Sequence, residues 1–326
     1  MNNTLFNNNH ILYDFLRLKW YLIPKDYDEH MMIDLLRNKY YDEMATMNTE
    51  AISRFTILPT TACNAKCNYC FEAGFETINM NDETAVDVAN YLIKNAKESM
   101  ENNGNKLRIC WFGGEPMVNF KAMTIIIDKL NEEKIPFTST MLSNGYLLDE
   151  SKAKYLRDVG KLIHVQITID GIGDVYKTVK NYNNNDNDPL KTVSKNIIDM
   201  LNLGIKIGVR LNVGTNNKED LIDVVKHCKE KILPCVIDCN KKNLTVYTHI
   251  LFDNCGFNPK KYTEETLKLS YQNSAEIDKV IRDSLKDCTI ELCDSKLRGI
   301  GLNSCMISTP TSALIYPDGS LGKCEH

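Results

Sequence analysis

The stretch TACNAKCNYCF, residues 61–71, decides how the rest of the chain is read. It sets Cys63, Cys67 and Cys70 in a Cx3Cx2C array. Thiolates are soft ligands, and three of them in one short loop point to a metal site rather than to packing. Three protein ligands are one short of closing a tetrahedral zinc site or a cubane iron–sulfur cluster, which leaves a position open for chemistry or for a further ligand. A zinc ribbon needs a second CxxC knuckle, whereas the nearest further pair, Cys235 and Cys239, is CxxxC and far downstream. The uniform two-residue gaps of a ferredoxin run are broken too, because the first gap here is three residues.

Composition sets the frame around this loop. The 326 residues suffice for one large core, or a core with smaller appendages. A net charge of −4 argues against a general binder of phosphate backbones. MNNTLFNNNH lacks the basic-then-apolar pattern of a signal peptide, and no apolar run reaches membrane-span length, so a cytoplasmic protein with neither nucleic-acid nor membrane partners is expected. In that reducing setting the twelve cysteines are thiols or metal ligands before they are disulfides, with scattered ones such as Cys228 and Cys288 read as packing.

Outward from the loop, strand-like and helix-like patterns alternate. FTILPT (55–60) leads into the cysteines, and a helix is expected to start at Asn81 or Asp82 with Ala85, Val88, Ala89 and Leu92 on one face. KLRICWF (106–112), FTSTML (137–142), LIHVQITI (162–169), IKIGVRLNV (205–213) and LTVYTHIL (244–251) read as further strands. Helices are expected over 119–130, near 149–158, and around Val193, Ile197, Met200 and Leu201, the last stopped by Gly204. Six strands alternating with helices imply an α/β fold with parallel pairing through right-handed crossovers. Six is short of the eight of a closed barrel, and function in such folds gathers at the C-terminal strand ends.

Three motifs fall at those ends. FGGEP (112–116) follows the second strand; its glycines let backbone come close to a ligand, Glu115 supplies an acceptor, and Pro116 fixes the exit. LSNGYLL places Ser143, Asn144 and Gly145 after the third strand, where Asn-Gly is also an ordinary turn. QITIDG ends the fourth strand at Asp170, either a cap or a group facing a ligand. On the fifth, Arg210 and Asn212 alternate with Val209 and Leu211; a buried arginine needs a counter-charge, from a ligand carboxylate or from a structural salt bridge. No HExxH, P-loop or nucleophile elbow is present.

Cx3Cx2C with an aromatic residue, Tyr69, before its last cysteine, followed by GGE, NG and IDG, resembles the signature of the radical S-adenosylmethionine (SAM) enzymes. The resemblance implies a partial (β/α)6 TIM barrel and a [4Fe–4S] cluster on Cys63, Cys67 and Cys70, with SAM chelating the fourth iron. It implies that Gly113, Gly114 and Glu115 cradle the methionine amino group and that Ser143 and Asn144 reach the ribose or carboxylate. Tyr69, Asp170 and Arg210 would complete the cofactor side. The peptide-modifying branch often follows IDG with His-Asp and Arg; here DVYKTVK puts Tyr176 near the expected His and Lys180 near the Arg. Cys305 and YPDGSLGKC, ending at Cys324, resemble the opening of a SPASM domain and are possible ligands of an auxiliary iron–sulfur cluster. The further cysteines of that pattern are absent, which fits a fragment or a truncated extension. Pro317, Asp318 and Gly319 read as a turn between two strands.

The domains expected are therefore 1–52, a cap or peptide-docking module; 53–285, the barrel; and 286–326, the start of a SPASM-like region, expected to be poorly ordered or folded back on the barrel. In the first, HMMIDLLRNKYYDEM shows helical intervals and HILYDFLRLKWYLIP reads as strand or helix. The function implied is reductive cleavage of SAM to a 5′-deoxyadenosyl radical and hydrogen abstraction from a precursor peptide or protein, installing a thioether or another cross-link. A flavodoxin- or ferredoxin-type electron donor is the implied partner. The alternatives are an anaerobic sulfatase-maturating type and a non-catalytic iron–sulfur or zinc protein.

Overall fold

A computed structural model describes residues 9–14, 19–24, 52–70, 72, 74, 76–103, 106–184, 186–251, 264–286 and 311–322. The expected helix within residues 30–44 lies outside them, as do Cys288, Cys305 and Cys324. Near the N-terminus, β1 (Asn9–Asp14) and β2 (Lys19–Pro24) form an antiparallel hairpin, so the first apolar stretch is strand.

The remaining elements follow the expected alternation. They are β3 (Arg54–Ile57), α1 (Asp82–Asn103), β4 (Leu107–Trp111), α2 (Phe120–Glu132), β5 (Phe137–Ser143), α3 (Glu150–Asp158) and β6 (Leu162–Thr168). Then come α4 (Gly173–Lys180), α5 (Pro189–Asn202), β7 (Lys206–Val213), α6 (Lys218–His227), the short α7 (Asp238–Lys241), β8 (Leu244–Ile250) and α8 (Glu264–Ser284). Caps set several helix starts: Asn81 accepts from the Thr84 N–H at 2.8 Å, and Asp149 from that of Lys152 at 3.0 Å. Gly204, at φ +84°, ends the turn after α5 in the left-handed region, as its position predicts.

β3 to β8 pair in sequence order, all parallel, into the six strands of a partial (β/α) barrel whose sheet does not close. A seventh parallel strand, β9 (Ser312–Ile315), lies alongside β3, and β10 (Leu321–Gly322) returns antiparallel to it. The Pro317–Gly319 turn joins these two, with Gly319 at φ +85°. The pairing of β9 with β3 joins residues some 250 positions apart, which no local pattern announces.

Alternation sorts the two faces of the sheet. Ile57, Leu107, Ile109, Trp111, Met141, Val165, Ile167, Val209 and Leu211 are fully buried in one continuous apolar core with the helices. Registered residues of the opposite face are mostly polar: Cys110 beside Thr140 beside His164, Gln166 between Leu142 and Gly208, and Thr168 beside Arg210 beside Tyr247. The concave wall is thus built for contact with something polar, and the motifs lie along its C-terminal rim.

Candidate active site

The cysteine loop leaves β3 and is held from two sides. Thr60 anchors its start: the hydroxyl donates to Asn79 Oδ1 at 2.6 Å and accepts from the Ala62 N–H at 2.8 Å. Within the loop, the Cys70 N–H closes a turn onto the Cys67 carbonyl at 3.1 Å. Cys63, Cys67 and Cys70 are half-buried and outside any disulfide. Burial pushes the Cys63 thiol up to about 12, against the Ala65 N–H, with Glu115 and the other two cysteines adding to the rise. Burial raises Cys67 as well, against the pull of Lys180. Thiols held in this way are poor nucleophiles on their own, and a soft metal centre is what would stabilise them as thiolates. Among the described residues no three His, Cys, Asp or Glu side chains gather tightly enough for one metal ion. Three thiols of one loop that influence one another suit an iron–sulfur cluster with three protein ligands.

The first side of the grip is the turn after β4. Gly114 N–H donates to the Thr60 carbonyl at 3.3 Å and Glu115 N–H to that of Ala62 at 2.9 Å. A Cβ on Gly113, at φ +117°, would fall 2.2 Å from the Thr60 carbonyl oxygen. One on Gly114 would fall 2.4 Å from that of Ala62 and 2.5 Å from that of Thr61. The glycines were expected to admit a ligand to the backbone; what comes this close is the cysteine loop itself. Glu115 is wholly buried and accepts from Met117 N–H (3.2 Å), Asn144 N–H (2.7 Å) and the Ser143 hydroxyl (2.9 Å). It thereby ties the β4 turn to the end of β5. Burial carries its carboxyl up to about 7 despite the donors from Asn144, Met117 and Ser143. Asn144 completes the circuit, donating to Asn64 Oδ1 at 2.7 Å inside the loop.

The second side is α4 and the three residues that follow it. Lys66 N–H donates to the Lys180 carbonyl at 3.0 Å, Asn68 N–H to that of Val179 at 3.4 Å, and Asn183 N–H to that of Asn64 at 2.9 Å. Asn181, at φ +46°, turns the chain so that residues 179–183 run antiparallel to the loop. Beneath them lies an ion pair: Lys180 Nζ is 2.9 Å from Asp170 Oδ2, with side chains 2% and 3% exposed. Tyr69 donates to the same oxygen at 2.5 Å and accepts from Lys180 at 2.8 Å. Burial alone would lower the Lys180 ammonium; Asp170, then Tyr69, override it and hold it well above the ordinary lysine value. Asp170 Oδ1 is buried with no hydrogen-bond partner. Tyr176, fully buried, shares a 3.0 Å hydroxyl contact with Tyr182.

Arg210 stands on the concave wall without the structural salt bridge that was one of its two expected counter-charges. It donates to Asn212 Oδ1 at 3.0 Å and meets His249 Nδ1 at 2.9 Å, and no ion pair involves it among the described residues. Burial draws its pKa down. An orphaned acceptor on Asp170 and a cation without an anion both suit a polar, charged ligand at the rim.

The model of the radical SAM superfamily matches residues 57–237, more than half of the chain. The chain belongs to the radical SAM superfamily. Its members use a [4Fe–4S] cluster and SAM, and the cysteine triad fits the former. It is 23% identical to the radical SAM cyclopropyl synthase TigE of Paramaledivibacter caminithermalis over 45% of this chain and 32% of that one. It is 28% identical to the cysteine-type anaerobic sulfatase-maturating enzyme of Clostridium perfringens over 53% of this chain and 47% of that one. The chain thus spans no more than about half the length of these two relatives. In fold it is similar to Streptococcus suis SuiB bound to the precursor peptide SuiA, with a TM-score of 0.58 at 16% identity, covering 93% of this chain and 66% of that one.

The sequence motifs named most of what gathers here: Cys63, Cys67, Cys70, Gly113, Gly114, Glu115, Ser143, Asn144, Tyr69 and Asp170. Arg210 joins them only as part of the wall. The antiparallel strap at 179–183 had no signal in periodicity, and Lys180 stood out only as a departure from an expected arginine.

Proposed function

We propose that this radical SAM protein is an enzyme that cleaves SAM reductively and takes a hydrogen atom from a peptide, forming a thioether or another cross-link. The observation that carries the reading is the cysteine triad in a loop fixed against the GGEP and SNG turns at the C-terminal rim of the barrel. Cys63, Cys67 and Cys70 would hold the cluster, whose chemistry when bound is one-electron cleavage of SAM to methionine and a 5′-deoxyadenosyl radical. The chain's own residues bind and shield. Glu115, near neutrality in its proton affinity, suits an ammonium partner; Ser143 and Asn144 present polar atoms beside it. Asp170 Oδ1 offers a free acceptor and Arg210 a free cation to the ribose or carboxylate. The buried rim keeps water from the reacting atoms.

A peptide substrate is favoured by the peptide-bound relative of the same fold and by a polar concave wall open along one edge. In this reading residues 1–52 cap the barrel or dock the peptide, residues 53–285 form the catalytic unit, and residues 286–326 begin a region where Cys305 and Cys324 are candidate auxiliary-cluster ligands. A flavodoxin- or ferredoxin-type donor in the cytoplasm would supply the electron. The sulfatase-maturating reading is favoured by the similarity to the C. perfringens enzyme, and would place a protein Cys or Ser in the same wall. No helix among the described residues is long and apolar enough to cross a membrane.

The test is anaerobic reconstitution followed by reduction with SAM. The parent is expected to bind about four irons per chain and release 5′-deoxyadenosine; the Cys63→Ala, Cys67→Ala, Cys70→Ala variant is expected to do neither. 5′-Deoxyadenosine from the triple variant overturns the assignment.

A further inference from the structure

One charged side chain against the cysteine loop, Lys180, has no part in the reaction just described. Lys180 Nζ sits between Asp170 Oδ2 and the Tyr69 hydroxyl, at 2.9 and 2.8 Å. Tyr69 immediately precedes Cys70, and the Lys180 carbonyl holds the N–H of Lys66, which immediately precedes Cys67. The ammonium is therefore anchored to the loop through backbone and through side chain, one residue from each of two thiols.

As a device for stability alone this is a poor choice. A buried ion pair often does no better than apolar residues of the same volume, since both charges must be stripped of water. Here the pair is also incompletely bonded, because Asp170 Oδ1 has no partner. What a buried pair does supply is a fixed field, and in a low-dielectric interior that field reaches several ångströms with little screening. Of the two charged residues, Lys180 is the one bonded to the loop twice, by its carbonyl to the Lys66 N–H at 3.0 Å and by its ammonium to the Tyr69 hydroxyl at 2.8 Å.

We propose that Lys180 and Asp170 form a fixed dipole that sets the reduction potential of the cluster held by Cys63, Cys67 and Cys70. The proposal rests on the cluster reading given above. Reduction adds one negative charge to a centre already carrying three thiolates, and iron–sulfur potentials follow the net charge and polar groups around the cluster. A cation beside Cys67 stabilises the reduced form and raises the potential; a carboxylate there lowers it. Lys180 is in this sense a positioning and tuning residue that works through Tyr69 and the loop.

The measurement is the cluster midpoint potential, followed by EPR in the absence of SAM, for the reconstituted full chain and for Lys180→Met, Asp170→Asn, Lys180→Arg and the Asp170→Asn, Lys180→Met double variant. The expected pattern is a lower potential in Lys180→Met and a higher one in Asp170→Asn. The double variant should fall between them, and Lys180→Arg should stay near the parent. Shifts of opposite sign from the two single changes are what a merely structural pair would not give. Equal potentials throughout, or shifts all of one sign, overturn the proposal. Should Lys180→Met, with its lone buried carboxylate, fail to take up iron, the double variant keeps the test. Its potential must then lie below that of Asp170→Asn, since the two differ only at Lys180. Thermal unfolding of the metal-free proteins checks the background: the double variant is expected to melt close to the parent and Lys180→Met below it. A parent that binds no cluster defeats the functional reading; a parent with a cluster whose potential ignores these charges defeats this inference alone.

Discussion

On the β4–β5 side the cysteine loop is gripped by backbone, and on the α4 side by charge. The first grip uses two glycines whose missing side chains let Thr60, Thr61 and Ala62 come within reach, plus one carboxylate that gathers three donors from two turns. The second uses a strap of backbone hydrogen bonds laid over a buried Lys–Asp–Tyr cluster. The difference is one of tolerance. A backbone contact at close range cannot absorb a methyl group, whereas a charged pair can be replaced in both halves if shape is kept. The two sides should therefore fail in different ways when changed.

The largest effect is expected at Gly114. A valine there drives carbon into the carbonyl oxygens of Ala62 and Thr61, at 2.4 and 2.5 Å before any branch is added. Relief requires the loop to move, so cysteine geometry is lost together with several kcal/mol of stability, as overpacking of a rigid site costs. Iron bound per chain after reconstitution, and the melting temperature of the metal-free protein, should both fall sharply. Normal iron uptake with impaired SAM binding alone would show that the turn yields toward the ligand and not toward the loop.

That contrast also explains what the sequence could reveal. Gly113, Gly114, Ser143 and Asn144 are legible because short turns need particular residues at fixed offsets from a strand, and Cys63, Cys67 and Cys70 because ligand spacing is local. Lys180 is not: lysine is rarely buried, and its partner Asp170 lies ten residues earlier across a helix that the DVYKTVK pattern did not announce. The strap joins residues more than a hundred positions apart, from Asn64 to Asn183. The pairing of β9 with β3 is longer still, while the six barrel strands and the cap at Asn81 were legible from period and capping residues. Local chemistry writes itself into sequence; pairing over distance does so only through burial, which charge disguises.

A smaller effect separates the carboxylate of the first grip from that of the second. Glu115 has its folded pKa raised from 4.5 to about 7, with burial as the leading cause. A carboxyl raised on folding contributes stability that is fully present below the unfolded value and is lost as pH climbs through the folded one. The parent should lose about 3 kcal/mol between pH 4.5 and 7 from this group alone. Glu115→Gln removes the titration, so its stability should be flatter across that window, whatever its absolute level. Urea midpoints at steps of pH would show it. Parallel slopes for the two proteins would mean that the donors to the carboxylate fully offset the penalty of its burial.

The smallest effect, and the finest division of the α4 side, is expected at Tyr176. Its hydroxyl meets that of Tyr182 at 3.0 Å in a fully buried setting, and burial pushes the Tyr176 phenol up to about 12, so the contact is between neutral groups. Tyr176→Phe keeps the ring and removes one hydrogen bond, leaving Tyr182 short of a partner, which costs about 1–2 kcal/mol. A lowered melting temperature is therefore expected. The cluster potential should stay where it is in the parent, because no charge has moved, in contrast to Lys180→Met a few ångströms away. The pair of measurements separates packing of the strap from its field. If Tyr176→Phe shifts the potential as Lys180→Met does, then loosening the strap is enough to retune the cluster, and the buried charges act by holding the loop in place rather than by their sign.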